Sequence, residues 1–241
     1  MIEALGWGGL AASSLLIGVL MAFVRPWSRR AVGLVLGFGA GALISAVSFE
    51  LAAEGAKAGG ADAVAIGLGL GAVTFYLADG LVARMGAGRS RERRSGGSEP
   101  GPALALGAFL DGIPEQLVLG LGIAAGGDVS LGLLAAIFVS NLPEAMGSAD
   151  AMRKSGARTA AILALWAAVA AVCTLASGAG FAIADSASSE LVGVVDGFAA
   201  GALLVMLVDS MIPEAAEQSG RVAGLVTTLG FAVAAGLSAV S

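Results

Sequence analysis

The sequence predicts an all-α membrane protein with about eight transmembrane helices. Of its 241 residues, 57% are hydrophobic and only 13% are charged, whereas an ordinary soluble domain has about a quarter charged residues. Apolar runs close to the roughly 20 residues that cross a bilayer recur along the whole chain. The lipid bilayer is therefore an expected partner. The acidic balance of the chain argues against nucleic-acid binding.

Clusters of Gly, Pro and charged residues separate the apolar runs and delimit the expected spans. The spans lie near 4–24, 31–53, 62–83, 102–125, 130–152, 158–184, 190–216 and 221–240. They are expected to form a single transmembrane domain, 1–241. Its one long loop, 87–101, is basic and rich in Ser and Gly, so it is predicted to be flexible and cytoplasmic. The first run has no positive region before it, which indicates a retained helix rather than a signal peptide.

The positions of the basic residues predict the orientation. Cytoplasmic loops of membrane proteins collect Lys and Arg. Every Lys and Arg of this chain except Lys57 falls between spans one and two, three and four, five and six, or seven and eight. These loops are therefore expected in the cytoplasm and both termini outside, in a multi-pass protein of the cell membrane.

A short internal repeat suggests that the two ends of the chain are related. The pattern Gly-Phe-x-Ala-Gly-Ala-Leu at 37–43 in span two recurs at 197–203 in span seven. The two spans are expected to run in opposite directions, so spans 1–3 and 6–8 are predicted to form an inverted repeat around spans 4 and 5, a common construction of transporters. The alternative is a chance likeness between two helices that use small residues for close packing.

Two similar motifs place polar groups inside spans four and five. The sequence DGIPEQ occupies 111–116, and SNLPEA occupies 140–145. At about 1.5 Å per residue, Asp111 lies roughly 14 Å into its span and Asn141 roughly 16 Å into the next. In a hydrocarbon core about 30 Å thick, the motifs are expected to meet near mid-membrane.

The spacing within each motif predicts a cation site. Asp111 and Glu115 are four residues apart, as are Ser140 and Glu144, so each pair shares one helix face. Each proline also frees the carbonyl four residues before it. Ionisable groups in a membrane cost on the order of 3 kcal/mol each and generally mark an ion or proton path. Clustered carboxylates repel one another unless a cation or protons lie between them. The alternative is that the prolines only kink their helices and the acids are protonated and hydrogen-bonded.

The paired motifs resemble the tandem His-Asn-x-Pro-Glu-Gly and His/Gln-Glu/Asp/Asn-x-Pro-Glu signatures of the ZIP (Zrt-, Irt-like) metal transporters. The number of spans, the outside termini and the loop after span three are also similar to that family. The positions that match the signatures are Pro114, Glu115, Asn141, Pro143 and Glu144.

The resemblance implies that Glu115 and Glu144 bridge the metal, that Asp111 replaces the first histidine, and that Ser140 and Asn141 occupy the remaining ligand positions. Gly112 stands where the family has an asparagine ligand, and the chain contains no histidine. One metal ion is therefore expected rather than two. An oxygen-rich site suits Mn²⁺, Fe²⁺ or Mg²⁺, carboxylates also bind zinc, and the resemblance favours zinc.

The predicted function is transport of a divalent cation, of the zinc, iron or manganese class, toward the cytoplasm by alternating access. The metal is the substrate, no tightly bound cofactor is expected, and a homodimer is a candidate assembly. Acids near the two membrane surfaces, Glu50 on one side and Asp209 and Glu214 on the other, are expected to line the pathway and concentrate cations.

Two other classes of membrane protein stay open at this point. A cation channel could also be lined by kinked helices bearing carboxylates. An intramembrane aspartyl protease needs two facing aspartates, for which Asp111 and Asp209 are the nearest candidates, whereas a Ser-His protease is excluded because the chain has no histidine. The single cysteine, Cys173, has apolar neighbours and is expected to be a packed thiol.

Overall fold

The computed structural model describes the backbone of residues 1–82, 101–124 and 129–240, with side chains throughout these ranges except at 82, 101–108, 110, 111 and 185. Residues 87–100 of the predicted loop 87–101 thus lie outside the described ranges, and residue 101 is the first residue of a helix. Within the described ranges the secondary structure is helical. The helices are α1 (Ile2–Val24), α2 (Arg29–Gly59), α3 (Ala61–Val82), α4 (Gly101–Ala124), α5 (Leu131–Lys154), α6 (Thr159–Ser186), α7 (Ser189–Ser219) and α8 (Val222–Ser238).

Most of these helices are suited to a membrane. Six of them, α1, α2, α3, α5, α6 and α7, are long and apolar enough to cross a bilayer, and shorter apolar stretches cover Gly112–Ala124 of α4 and all of α8. Large apolar side chains such as Ile66, Tyr76 and Leu225 are more than half exposed, as expected for surfaces that face lipid rather than water. The chain is thus an all-α protein of the membrane-embedded type.

Helices α2 and α7 have the same construction 160 residues apart. Ser28 and Ser188 cap their N-termini by accepting hydrogen bonds from the backbone three residues on. Each helix contains a π-helical stretch, Val47–Ala53 in α2 and Leu207–Met211 in α7. Each ends at a glycine with a positive φ, 90° at Gly60 and 67° at Gly220, a conformation that side chains other than glycine rarely adopt.

The helix that follows α2 in the chain packs on α7, and the helix that follows α7 packs on α2. Helix α3 lies along α7, while α8 lies along α2. The close approach depends on glycine: a Cβ at Gly41 would overlap the carbonyl of Thr227, and a Cβ at Gly201 would overlap the carbonyl of Leu68. Small residues of this kind allow the backbones of membrane helices to touch.

Helices α4 and α5 join the two halves of the bundle. Helix α5 packs against α1 and α2 and also against α8, while α4 packs against α6, α1 and α7. The buried core is largely Ala, Leu and other aliphatic side chains, and a second cluster surrounds the fully buried Trp166 between α1, α5 and α6. The motif-bearing helices therefore have protein on several sides.

The two ends of the bundle differ in charge. The junctions α1–α2, α5–α6 and α7–α8 lie at one end, with Arg25, Arg29, Lys154 and Arg221. We call this the basic end. The opposite end has Lys57 as its one basic side chain within the described ranges. Met1 and Ser238 belong to this opposite end, since each helix reverses the direction of the one before it.

Candidate cation site

The two motifs meet where α4 passes α5. Pro114 and Pro143 lie inside these helices, which continue through both prolines. Across the contact, Oγ of Ser140 lies 3.4 Å from Oε1 of Glu115. The structure thus brings the glutamate of the first motif to the serine of the second, and Glu144 follows Ser140 by about one helical turn.

The polar groups at this contact are buried. Exposed fractions are 1% for Glu115, 0% for Ser140 and 3% for Asn141. Glu144 is half-buried and faces a cavity described below. A carboxylate in such surroundings is costly unless a cation, a proton or hydrogen-bond donors compensate it.

The Ser140 hydroxyl has one proton for two neighbouring acceptors. Its Oγ lies 3.0 Å from the carbonyl oxygen of Ile137 and 3.4 Å from Glu115. A hydroxyl donates a single hydrogen bond, so its proton goes to one of these two oxygens at a time. With either acceptor, the Ser140 hydroxyl lies against the Glu115 carboxylate.

Neighbouring helices hold the second motif closely. A Cβ at Gly39 of α2 would lie 2.9 Å from the Cα of Ser140, and one at Gly18 of α1 would lie 2.5 Å from the carbonyl oxygen of Leu142. Because real Cβ atoms do not approach this closely, the two glycines are what permits the contact. The motif backbone is therefore fixed by α1 and α2.

The buried thiol of Cys173 takes the space beside the first motif. Cys173 is 1% exposed, as expected for a packed thiol, and its Sγ would lie 2.7 Å from a Cβ at Gly112. The glycine at this position therefore accommodates the sulfur of α6. A larger side chain at 112, such as the asparagine of the ZIP signature, requires Cys173 to move.

The side chain of Asp111 lies outside the described part of the structure, so its distance to Glu115 stays a prediction. Among the described side chains, no three Asp, Glu or Cys residues converge closely enough to hold a metal by themselves. The part of the site that can be described is thus the set of Glu115, Ser140, Asn141 and Glu144.

A cavity of about 370 Å³ reaches Glu144 from the basic end. Glu214 and Gln218 of α7 also line it, and the Gln218 amide donates a 2.8 Å hydrogen bond to Glu214. Asp209 is exposed and does not line this cavity, whereas its neighbour Ser210 does. Its place in a cation pathway stays a prediction.

Basic side chains form part of the same cavity wall, where several are paired with acids. Arg29 pairs with Glu217 at 3.1 Å, and Lys154 pairs with Asp150 at 2.5 Å. Arg25 stacks over the Trp27 ring, 4.0 Å from its centroid. The pairing lowers the net positive field inside the cavity.

A second cavity, of about 360 Å³, opens at the opposite end. Glu50, Glu54 and Asp196 supply its acidic lining, and the buried side chains of Leu119 and Leu133 form part of its wall. Glu50 thus lines a cavity on the expected side. Glu115 lines neither cavity, and the two cavities have no lining residue in common among the described residues.

One buried polar residue at the first motif was not assigned a role from the sequence. Gln116 has 0% exposure, and neither its amide nitrogen nor its amide oxygen has a hydrogen-bond partner among the described atoms. Its oxygen would lie 3.2 Å from a Cβ at Gly8, near Ser177. A single amide side chain within an apolar span indicates a buried polar residue, but the sequence does not indicate which helix the amide faces.

No protein-family model matches this chain, and a search of the curated proteins finds no significant match.

Proposed function

We propose that the protein is a carrier that moves a divalent cation across the membrane through a site formed by Glu115, Ser140, Asn141 and Glu144, with Asp111 as a further ligand. The observation that supports this most strongly is the buried contact between Glu115 and Ser140. It joins two proline-containing helices, and Glu144, one turn further along α5, faces a cavity.

The chemistry of the contact favours a positive charge between the two helices. The Ser140 hydroxyl and the Glu115 carboxylate meet between the helices, and the hydroxyl oxygen keeps lone pairs for a cation whichever acceptor takes its proton. A metal ion or a proton at this contact stabilises the buried carboxylate. Glu144, on the same helix face as Ser140, adds a second carboxylate. One proton neutralises only one of the two negative charges, whereas one divalent cation neutralises both.

The distance is also compatible with a shared metal. Two oxygens bound to one tetrahedral zinc ion at about 2.0–2.2 Å each lie about 3.3–3.6 Å apart. The separation of 3.4 Å between Ser140 and Glu115 falls in this interval. Zinc, iron and manganese are the proposed substrates, because carboxylate, hydroxyl and amide oxygens bind all three.

The cavities favour a carrier over a channel. Access to Glu144 is from the basic end, and on the other side the apolar side chains of Leu119 and Leu133 stand between Glu115 and the second cavity. A site open to one side at a time is what alternating access requires. The exposure of Asp209 gives no support to a pair of facing catalytic aspartates.

We further propose that all eight helices span the membrane and that 1–82 and 159–240 are inverted repeats. The matching caps, π-helical stretches and terminal glycines of α2 and α7 support this, as does the exchanged packing of α3 and α8. In this arrangement the basic end is cytoplasmic and both termini are outside. The carrier is then open to the cytoplasm, and rocking of the repeats against α4 and α5 opens the other side.

Membership of the ZIP family is part of the proposal, and it rests on Pro114, Glu115, Asn141, Pro143 and Glu144. The departures at Asp111, Gly112 and Ser140 give a histidine-free site with a single metal. We propose import toward the cytoplasm in the cell membrane, with the metal as substrate and a homodimer as the assembly.

Reconstitution in liposomes tests the proposed function. Vesicles loaded with Zn²⁺ or Mn²⁺ should take up a trace of labelled external ion faster than unloaded vesicles, because a carrier exchanges ions across its alternating site. Uptake should saturate with ion concentration. Unitary currents in planar bilayers, or uptake that is unaffected by internal ion, would show a channel instead.

A further inference from the structure

Asp196 is a buried acid that the proposed transport site does not use. It lies on α7, has an exposed fraction of 8%, and lines the cavity of about 360 Å³ at the opposite end. It makes no hydrogen bond or ion pair to any side chain in the described ranges. A buried carboxylate without a donor is stabilised by a cation or a proton, and the cavity gives either one access to Asp196.

The backbone of α2 is shaped to admit Asp196. A Cβ at Gly55 would lie 2.9 Å from the Cβ of Asp196 and 3.3 Å from its Oδ2. Asp196 is therefore packed against α2 beside Glu54, the residue before this glycine. Glu50, about one turn earlier on α2, lines the same cavity. Carboxylates from two helices thus line one open cavity.

We propose that this cavity is a second cation-binding site, separate from the transport site, in which Asp196 and Glu54 hold a hydrated divalent cation. The ion keeps most of its water, because no three described acids converge to replace its shell. Mg²⁺ characteristically keeps several waters and is held by one or two carboxylates, and Mn²⁺ prefers the same oxygen ligands. At about 30 Å³ per water, the cavity of about 360 Å³ holds an ion with a shell of about six waters.

This site is distinct from the one at Glu115. Val118, Leu119 and Leu133, each at most 3% exposed, line the cavity on the side toward the motifs. The cation therefore binds at Asp196 with no contact to Glu115 or Glu144.

Lys57 is expected to compete for the same acid. It pairs with Glu54, and both side chains are more than half exposed. An exposed pair of this kind contributes little stability, so a divalent ion can displace the ammonium group. Removal of Lys57 should therefore strengthen the site.

Mn²⁺ binding to the purified full-length protein tests the proposal. The background is the variant with both Glu115→Gln and Glu144→Gln, which removes the central carboxylates. It should keep one Mn²⁺ whose magnetic resonance spectrum shows several water ligands. Adding Asp196→Asn, which preserves shape, should weaken this ion at least tenfold, whereas Lys57→Gln should tighten it. Glu190→Gln is the matched control, because Glu190 is an exposed acid on the same helix and should leave binding within twofold of the background.

The outcomes separate this proposal from the transport proposal. If the folded background variant binds no Mn²⁺, or if Asp196→Asn leaves its binding within twofold, the second site does not exist. If Asp196→Asn removes the ion while Glu115→Gln and Glu144→Gln change neither binding nor transport, the second site stands and the transport site is wrong.

Discussion

Oγ of Ser140 lies 3.4 Å from Oε1 of Glu115, joining α5 to α4 at the level of the two prolines. The same hydroxyl is 3.0 Å from the carbonyl oxygen of Ile137 in its own helix. The hydroxyl thus links the buried glutamate of α4 to α5. In the proposed site, the hydroxyl oxygen is a ligand of the cation that Glu115 binds.

Two replacements of Ser140 should have different effects, one on metal affinity and the other on metal preference. Ser140→Ala removes one neutral ligand, so metal affinity should fall about tenfold, while Ser140→Cys adds a thiolate and should shift preference from Mn²⁺ toward Zn²⁺ and Cd²⁺. Small residues are required, since α2 approaches the Cα of Ser140 at Gly39. Competition binding on purified protein measures both effects. Unchanged affinity in Ser140→Ala would mean that the hydroxyl only donates to the Ile137 carbonyl of its own helix.

The two acids late in α7 should differ in importance. Glu214 lines the cavity that reaches Glu144, whereas Asp209 is exposed outside it. We expect Glu214→Gln to lower the transport rate severalfold with little change in protein yield, and Asp209→Asn to transport within twofold of the wild type. Initial rates in liposomes provide the comparison. A larger loss for Asp209→Asn would place the exit path on the other face of α7.

Close glycine contacts should make the bundle sensitive to a single methyl group. Gly41→Ala places a Cβ against the carbonyl of Thr227, and Gly69→Ala on α3 meets nothing within 4 Å. Overpacking of this kind typically costs about 1–3 kcal/mol, so Gly41→Ala should lower the unfolding temperature in detergent and Gly69→Ala should not. Equal unfolding temperatures for the two variants would show that α2 and α8 are not in contact as described.

The orientation can be tested by labelling single cysteines. The background is Cys173→Ser, although Cys173 is itself buried. A cysteine introduced by Ser98→Cys in the basic loop should react with an impermeant reagent only after the cells are opened, because basic loops remain in the cytoplasm. Lys57→Cys should react in intact cells. Reversed accessibility of the two positions would invert the direction assigned to the carrier.

The sequence predicted the helices well because each apolar run ends at a charge or glycine cluster. It ended span two at 53, since Glu54 and Lys57 look like loop residues, whereas α2 continues to Gly59 and stops at the positive φ of Gly60. The exchanged packing of α3 and α8 was not predictable, because it depends on contacts between residues far apart in the chain rather than on local pattern.

Part of the candidate site was predictable from local sequence pattern. The four-residue spacing from Ser140 to Glu144 fixes a shared face on any regular helix, and the equal depth of the motifs predicts their meeting. The position of Asp209 outside the cavity was not predictable, because it lies in the π-helical stretch Leu207–Met211, which changes the helical phase and leaves Ser210 on the cavity wall. Gln116 was missed, since its burial depends on α1.

The most direct test of the account is Zn²⁺ uptake by liposomes that contain Glu115→Gln or Glu144→Gln. Glutamine keeps the shape of glutamate and removes its charge, so both variants should fold and elute like the wild type. Their uptake should fall to the level of empty liposomes, while the control Glu190→Gln should transport normally. Wild-type uptake by both glutamine variants would show that these glutamates are buried packing groups, and that the cation passes elsewhere or not at all.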